Sequence, residues 1–137
     1  VVRAEQRPIT VVIADDERTM CESLELILHA QPGLEVVGVA TDGETALRVC
    51  AELRPDVALL DVRMPGGDGL WVLSTLAGRG LVGAGGIQVL MLTTFDSGRY
   101  LADAVAHGAR GVLLKSLPWE ELVAAVRAAA GAGGHRP

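Results

Sequence analysis

Apolar residues in this chain come in short runs, and each run ends on a polar side chain. Thr10-Val11-Val12-Ile13-Ala14 leads to Asp15-Asp16, and Val57-Ala58-Leu59-Leu60 leads to Asp61. Ile87-Gln88-Val89-Leu90-Met91-Leu92 leads to Thr93, and Gly111-Val112-Leu113-Leu114 leads to Lys115. Short apolar runs of this kind read as strands buried on both faces. Between them the period changes to that of a helix. Met20, Leu24, Ile27 and Leu28 form one stripe, as do Ala46, Leu47, Cys50 and Leu53, and then Trp119, Leu122, Val123 and Val126.

The pattern predicts β1 over 9–14, α1 over 18–30, β2 over 35–40, and α2 beyond Thr41-Asp42-Gly43. It continues with β3 over 57–60, α3 over 69–77, β4 over 87–92, α4 over 98–107, β5 over 111–114 and α5 from Pro118. Asp68 is the expected N-cap of α3, and Pro118 suits the first turn of α5. The five glycines in 78–86 predict a mobile surface connection. Residues 1–8 read as a loose leader, 9–130 as the folded domain and 131–137 as a linker or tail.

Regular strand–helix alternation argues for an α/β fold, a doubly wound (βα)5 parallel five-stranded sheet with helices on both faces. Right-handed crossovers and strand order 2-1-3-4-5 are expected. Ligands of such sheets bind beyond the carboxyl ends of the strands. Those ends carry Asp15, Asp16, Asp61, Thr93 and Lys115.

Composition narrows the chemistry. The chain has 137 residues and a net charge of −5, so it offers no basic footprint for a nucleic acid backbone. Half of it is hydrophobic but only 3% is aromatic, so the core is built from Val, Leu, Ala and Ile. Cys21 and Cys50 lack metal-ligand spacing and read as small apolar core residues. No apolar run reaches the roughly 18 residues that span a bilayer, which predicts a soluble, cytosolic protein.

Lys115 is the only lysine, beside eleven arginines. Three carboxylates gathered at one crevice repel one another, by about 4 kcal/mol for a pair about 4 Å apart at an effective dielectric near 20. One ammonium cannot balance them, and a hard divalent cation such as Mg²⁺ can. With the cation present, a carboxylate can attack a phosphoryl group and form an acyl phosphate. Asp61, alone at a central strand end beside the flexible Arg63–Gly69 loop, is the best nucleophile. Lys115 would offset charge on the phosphoryl oxygens, and Thr93 could donate a hydroxyl hydrogen bond to them. Singly, these residues have ordinary explanations as an N-cap, a surface lysine and a β-former. Their conjunction at successive strand ends points to phosphoryl chemistry.

The motifs Val-Val-Ile-Ala-Asp-Asp-Glu at 11–17, Leu-Leu-Asp-Val-Arg-Met-Pro-Gly-Gly-Asp-Gly at 59–69, Val-Leu-Met-Leu-Thr-Thr-Phe-Asp at 89–96 and Gly-Ala-Arg-Gly-Val-Leu-Leu-Lys-Ser at 108–116 carry a family resemblance. From about Ile9 to Ala130 the chain resembles the receiver domains of two-component response regulators, which have the flavodoxin-like strand order. It is most similar to the subfamily whose output is a LuxR-type helix-turn-helix. The resemblance implies that Asp61 accepts a phosphoryl group from a sensor histidine kinase or a small donor such as acetyl phosphate. It implies Mg²⁺ on Asp16, Asp61 and the backbone carbonyl of Arg63, with Asp15 acting through water. Thr93 and Lys115 would bind the phosphoryl oxygens and reshape the α4–β5–α5 surface.

The resemblance further implies a phosphorylation-dependent switch rather than a metabolic enzyme, with at most slow self-phosphorylation and self-dephosphorylation. Phosphorylation would promote a homodimer, and DNA would be met only through an output domain outside this chain. The lifetime of the phosphorylated form would depend on Arg63, Thr94 and Phe95. Two positions depart from the family pattern. Val112 stands where many receivers carry an aromatic switch residue, and Ser116 stands where a cis proline often follows the lysine, so a trans bond is expected. A free-standing or degenerate receiver acting by partner binding is the alternative. A dehalogenase-like phosphatase lacks its Asp-x-Asp loop here. A dinucleotide-binding module would need phosphate-cradling glycines where Asp15-Asp16-Glu17 stands.

Overall fold

The computed structural model describes residues 7–94 and 98–134, with backbone alone at 98 and 99. Ten elements alternate: β1 (Ile9–Ala14), α1 (Arg18–His29), β2 (Leu34–Ala40), α2 (Gly43–Leu53), β3 (Val57–Asp61), α3 (Gly69–Gly78), β4 (Gln88–Thr93), α4 (Gly98–Ala106), β5 (Gly111–Leu114) and α5 (Trp119–Ala132). The strands form one parallel sheet in the order β2-β1-β3-β4-β5. This is the expected doubly wound architecture.

Strand pleating sends alternate residues to opposite layers. Val12, Ala14, Ala58, Leu60, Val89 and Met91 face α2, α3 and α4, and pack on Leu47, Cys50, Val72, Leu73, Leu76 and Ala104. Val11, Ile13, Val57, Leu59, Leu90 and Leu92 face α1 and α5, and pack on Cys21, Leu24, Leu28, Leu122, Val126 and Ala129. Both faces of the central strands are therefore sealed, so polar side chains gather at the strand ends.

Helical periodicity marks these faces with two exceptions. Leu53 is 49% exposed, because α2 ends there at the left-handed Arg54, and its Cδ1 reaches over Gly38. Trp119 is 46% exposed, because it begins α5 beyond the end of β5 instead of over the sheet. Pro118 is the N-cap of α5, one position before the first helical residue. Cys21 and Cys50 are free and buried, as expected of apolar packing, and burial pushes the Cys50 thiol up to about 12.

Hydrogen bonds tie two further segments to the rest of the fold. The connection over 78–86 is tied down by Gly83 N–H to the Ile87 carbonyl and Gly85 N–H to the Gly133 carbonyl. Buried Gln88 adds a side-chain bond to the Gly83 carbonyl. At the amino edge of the sheet, the Arg7 guanidinium forks onto Asp56 at 2.9 and 3.0 Å. Asp56 also accepts from the Thr10 amide and hydroxyl, joining the start of β1 to the start of β3. Burial opposes ionisation of Asp56, but the bonds from Arg7 and Thr10 outweigh it and hold the carboxyl below its usual range.

Candidate functional site: an acidic crevice with one lysine

Strand register brings the polar strand ends together. Ala14 pairs with Leu60, Asp61 with Leu92, and Thr93 with Leu114. Asp15, Asp61, Thr93 and Lys115 thus leave the sheet at neighbouring positions. Backbone bonds extend the ladder past the strands: Asp15 N–H donates to the Ala40 carbonyl, Val62 N–H to Leu92, and Lys115 N–H to Thr93 at 2.7 Å.

Hydrogen bonds and close packing set the path of the loop after Asp61. Asp68 caps α3 by accepting from the Trp71 amide at 2.8 Å. Gly43 N–H donates to the Pro65 carbonyl, and Gly69 N–H to Val62. Gly69 lies so close beneath the acceptor strand that a Cβ there would stand 2.2 Å from the Asp61 carbonyl oxygen. Gly67, at φ +112°, leaves room for the Trp71 ring, which a Cβ would meet at 2.3 Å. Arg63 N–H reaches back toward Asp61 Oδ1 at 3.5 Å.

Asp15 is fully buried, while Asp61 and Thr93 are nearly so. Asp15, Asp16 and Asp61 each offer a carboxylate oxygen, and these oxygens lie within 4.8 Å of one another. Lys115 Nζ stands 2.8 Å from Asp15 Oδ2, 3.2 Å from Asp61 Oδ2 and 3.2 Å from Glu17 Oε1. Among the described residues, Asp15 Oδ2 has this ion-pair contact but no aligned hydrogen-bond donor. Burial, and then the charge of Asp15, push the Asp61 carboxyl up to about 6, with Lys115 opposing. Burial disfavours the Lys115 ammonium, but the bond to Asp15 and the charges of Asp61 and Asp15 outweigh it and raise its pKa.

Asp16, Glu17, Asp61, Arg63, Thr93, Thr94, Tyr100 and Lys115, with Val62, line a cleft of about 190 Å³. Every expected site residue among the described ones is therefore in or beside one crevice, except Val112, which packs into the core on the α4 side. Phe95 lies outside the described residues. Neither Asp15 nor Asp16 caps α1; Asp15 Oδ1 instead accepts from the Glu17 amide at 2.9 Å. No cis peptide occurs among the described residues, so Lys115-Ser116 is trans as expected.

Beside apolar Val62, two polar lining residues are not among those expected from the sequence, Glu17 and Tyr100. Glu17 could have been flagged as an unusual residue type at a helix N-cap. Tyr100, the sole tyrosine, gave no signal beyond its place early in α4.

The acidic cluster and its lysine stand at the carboxyl end of a five-stranded parallel sheet, and known proteins share this sequence and fold. The sequence matches the response regulator receiver domain family over residues 11–127. The chain belongs to that family. It is thus a signalling domain of two-component systems, in which phosphorylation sets the state of the response.

The oxygen regulatory protein NreC of Staphylococcus epidermidis is 37% identical over 117 residues, covering 85% of this chain and 52% of that protein. This receiver chain spans about half the length of the curated relatives it matches. Among solved structures, the signal receiver domain of the response regulator NarL from Mycobacterium tuberculosis superposes with a TM-score of 0.85 at 35% identity, covering 91% of this chain and 98% of that one. A LuxR-family DNA-binding response regulator from Staphylococcus aureus gives 0.82 at 27% identity, covering 89% and 98%. Among the described residues, no helix is long and apolar enough to cross a membrane.

The donor set fits a hard divalent cation. All three clustered ligands are carboxylates, the type Mg²⁺ prefers, and one lysine leaves their charge incompletely balanced.

Proposed function

We propose that Asp61 is the phosphoryl acceptor of this receiver and that a sensor histidine kinase is its donor. Asp61 Oδ attacks phosphorus, the bond between phosphorus and the donor histidine nitrogen breaks, and the imidazole keeps the electron pair and takes up a proton. Asp16, Asp61 and the Arg63 carbonyl would hold Mg²⁺ directly, with Asp15 acting through water. The ion would supply positive charge to the phosphoryl oxygens and lower the cost of ionised Asp61. Lys115 would then pair with one phosphoryl oxygen and the Thr93 hydroxyl would donate to another. Thr94, Arg63 and Phe95 would tune the lifetime of the product, and the domain is a slow switch rather than a turnover enzyme.

The observation that carries this reading is the position of Lys115, in contact with both Asp15 and Asp61 at the acidic end of the sheet. The lysine is already beside the carboxylate that would become an acyl phosphate. Rearrangement of Thr93 and Lys115 would reach α4, β5 and α5, where Leu101, Val105, Leu114 and Trp119 are exposed and suit a phosphorylation-promoted homodimer. Transcriptional output would act through a helix-turn-helix segment outside these residues. Incubation with acetyl phosphate and Mg²⁺, followed by intact mass measurement, tests the reading. One added phosphoryl group, absent in EDTA and in Asp61→Asn, is the expected result. No adduct under Mg²⁺ saturation would favour a degenerate receiver that acts by partner binding.

A further inference from the structure

Glu17 occupies the N-cap of α1, where Ser, Thr, Asp or Asn would ordinarily bond to a first-turn amide. Its side chain makes no such bond. Oε1 instead lies 3.2 Å from Lys115 Nζ, across 98 residues of sequence. The backbone is aimed for this, because Glu17 N–H donates to Asp15 Oδ1 while Asp15 Oδ2 faces the same lysine. Among the described residues three carboxylates contact Lys115; that of Glu17 is exposed, at 62%, and those of Asp15 and Asp61 are buried. Lys115 therefore stays in the crevice without Glu17, and the pair with Glu17 restrains it from the solvent side.

We propose that Glu17 is a positioning residue that tethers Lys115 in the resting domain and slows phosphoryl acceptance. The inference rests on Asp61 being the acceptor. A phosphoryl group on Asp61 places its oxygens beyond the carboxylate, toward the mouth that Glu17 lines. Lys115 must give up its outer partner to meet them. The tether acts on the step at the bound donor, so its removal raises the maximal rate. Long-range repulsion of an anionic donor by Glu17 would change its apparent KM instead.

Two variants separate these effects. Glu17→Gln keeps the size and removes the charge. Glu17→Asp keeps the charge but is one methylene shorter, and its carboxylate suits the vacant capping bond. Both should accept from acetyl phosphate at saturating Mg²⁺ with a maximal rate about two- to five-fold above wild type, the range of a screened surface ion pair. The gain should shrink at roughly 1 M salt, where screening weakens the pair in wild type. Glu17→Asp should also melt at a higher temperature. Wild-type rates in Glu17→Asp, or rates unchanged or lower in both variants, would overturn the tether while leaving Asp61 as acceptor. A wild-type protein that forms no adduct would overturn the acceptor reading, and the tether with it.

Discussion

Lys115 Nζ lies closer to Asp15, at 2.8 Å, than to Asp61, at 3.2 Å, so the sole lysine rests mainly against a fully buried carboxylate. This pair links the end of β1 to the end of β5 across two intervening strands. Its charge is needed before any phosphoryl group arrives, because Asp15 and Asp61 face each other in a site that water barely reaches.

Removing that charge should destabilise the resting domain. Lys115→Ala leaves two buried carboxylates uncompensated, and breaking a buried ion pair on one side costs several kcal/mol. About 2–4 kcal/mol is expected near pH 7.5 in the absence of Mg²⁺, measured by urea denaturation. The deficit should shrink with saturating Mg²⁺ and also near pH 5, where a carboxyl can take up a proton. An equal loss under all three conditions would mean that packing of the lysine stem, not its charge, is what matters.

Asp61 carries the opposite sign. Its folded-state pKa, about 6, lies above the ordinary carboxyl value, so the folded protein binds more protons than the unfolded chain between about pH 4 and pH 6. Without metal, stability should therefore fall as pH rises through that window. Asp61→Asn removes this slope and should raise stability near pH 7.5 by about 1 kcal/mol, seen as a melting temperature a few degrees higher. A steeper pH dependence in the variant would contradict the assignment.

Gly69 tests whether the acceptor loop needs its close approach. The Asp61 carbonyl oxygen, not a flexible side chain, stands 2.2 Å from where a Cβ would be. Gly69→Ala must displace the backbone that carries Asp61 or the start of α3, at a cost of about 1–3 kcal/mol. Phosphorylation by acetyl phosphate should slow as well. Gly78→Ala is the matched control, since nothing lies within 4 Å of that Cβ position; it should keep wild-type phosphorylation and gain slightly in helix propensity.

Strand ends were legible in the sequence because each apolar run stops at a polar residue, even in β5, where Leu114 is exposed, and a parallel sheet collects such ends on one side. Helix faces were legible through periodicity, but periodicity does not reveal where a helix overruns its sheet. Leu53 and Trp119 share the spacing of buried neighbours and yet stand half exposed at helix ends. Glu17–Lys115 and Arg7–Asp56 join residues 98 and 49 positions apart, and no local pattern encodes such a pair. The glycine-rich loops looked mobile by composition. Their constraint comes from partners elsewhere in the fold: Gly133 for one, and Gly43 and Trp71 for the other.

The cluster at the opposite end of the sheet should matter for stability and not for phosphoryl chemistry. Asp56 accepts from Arg7 and from the Thr10 amide and hydroxyl, and its own amide donates to the Thr10 hydroxyl. Asp56→Ala removes the acceptor and leaves a partly buried backbone donor unpaired, a loss of about 1–3 kcal/mol. Because the folded-state pKa of Asp56 is depressed, its contribution is present above the unfolded carboxyl pKa and is lost as pH falls through the folded value. The difference between wild type and Asp56→Ala should thus be largest near neutral pH and narrow below about pH 4. Arg7→Ala, which removes one exposed partner, should cost less, about 1 kcal/mol or under. Phosphorylation rates of both variants should match wild type at temperatures well below their melting points; a slowed rate would reveal coupling between the two ends of β3.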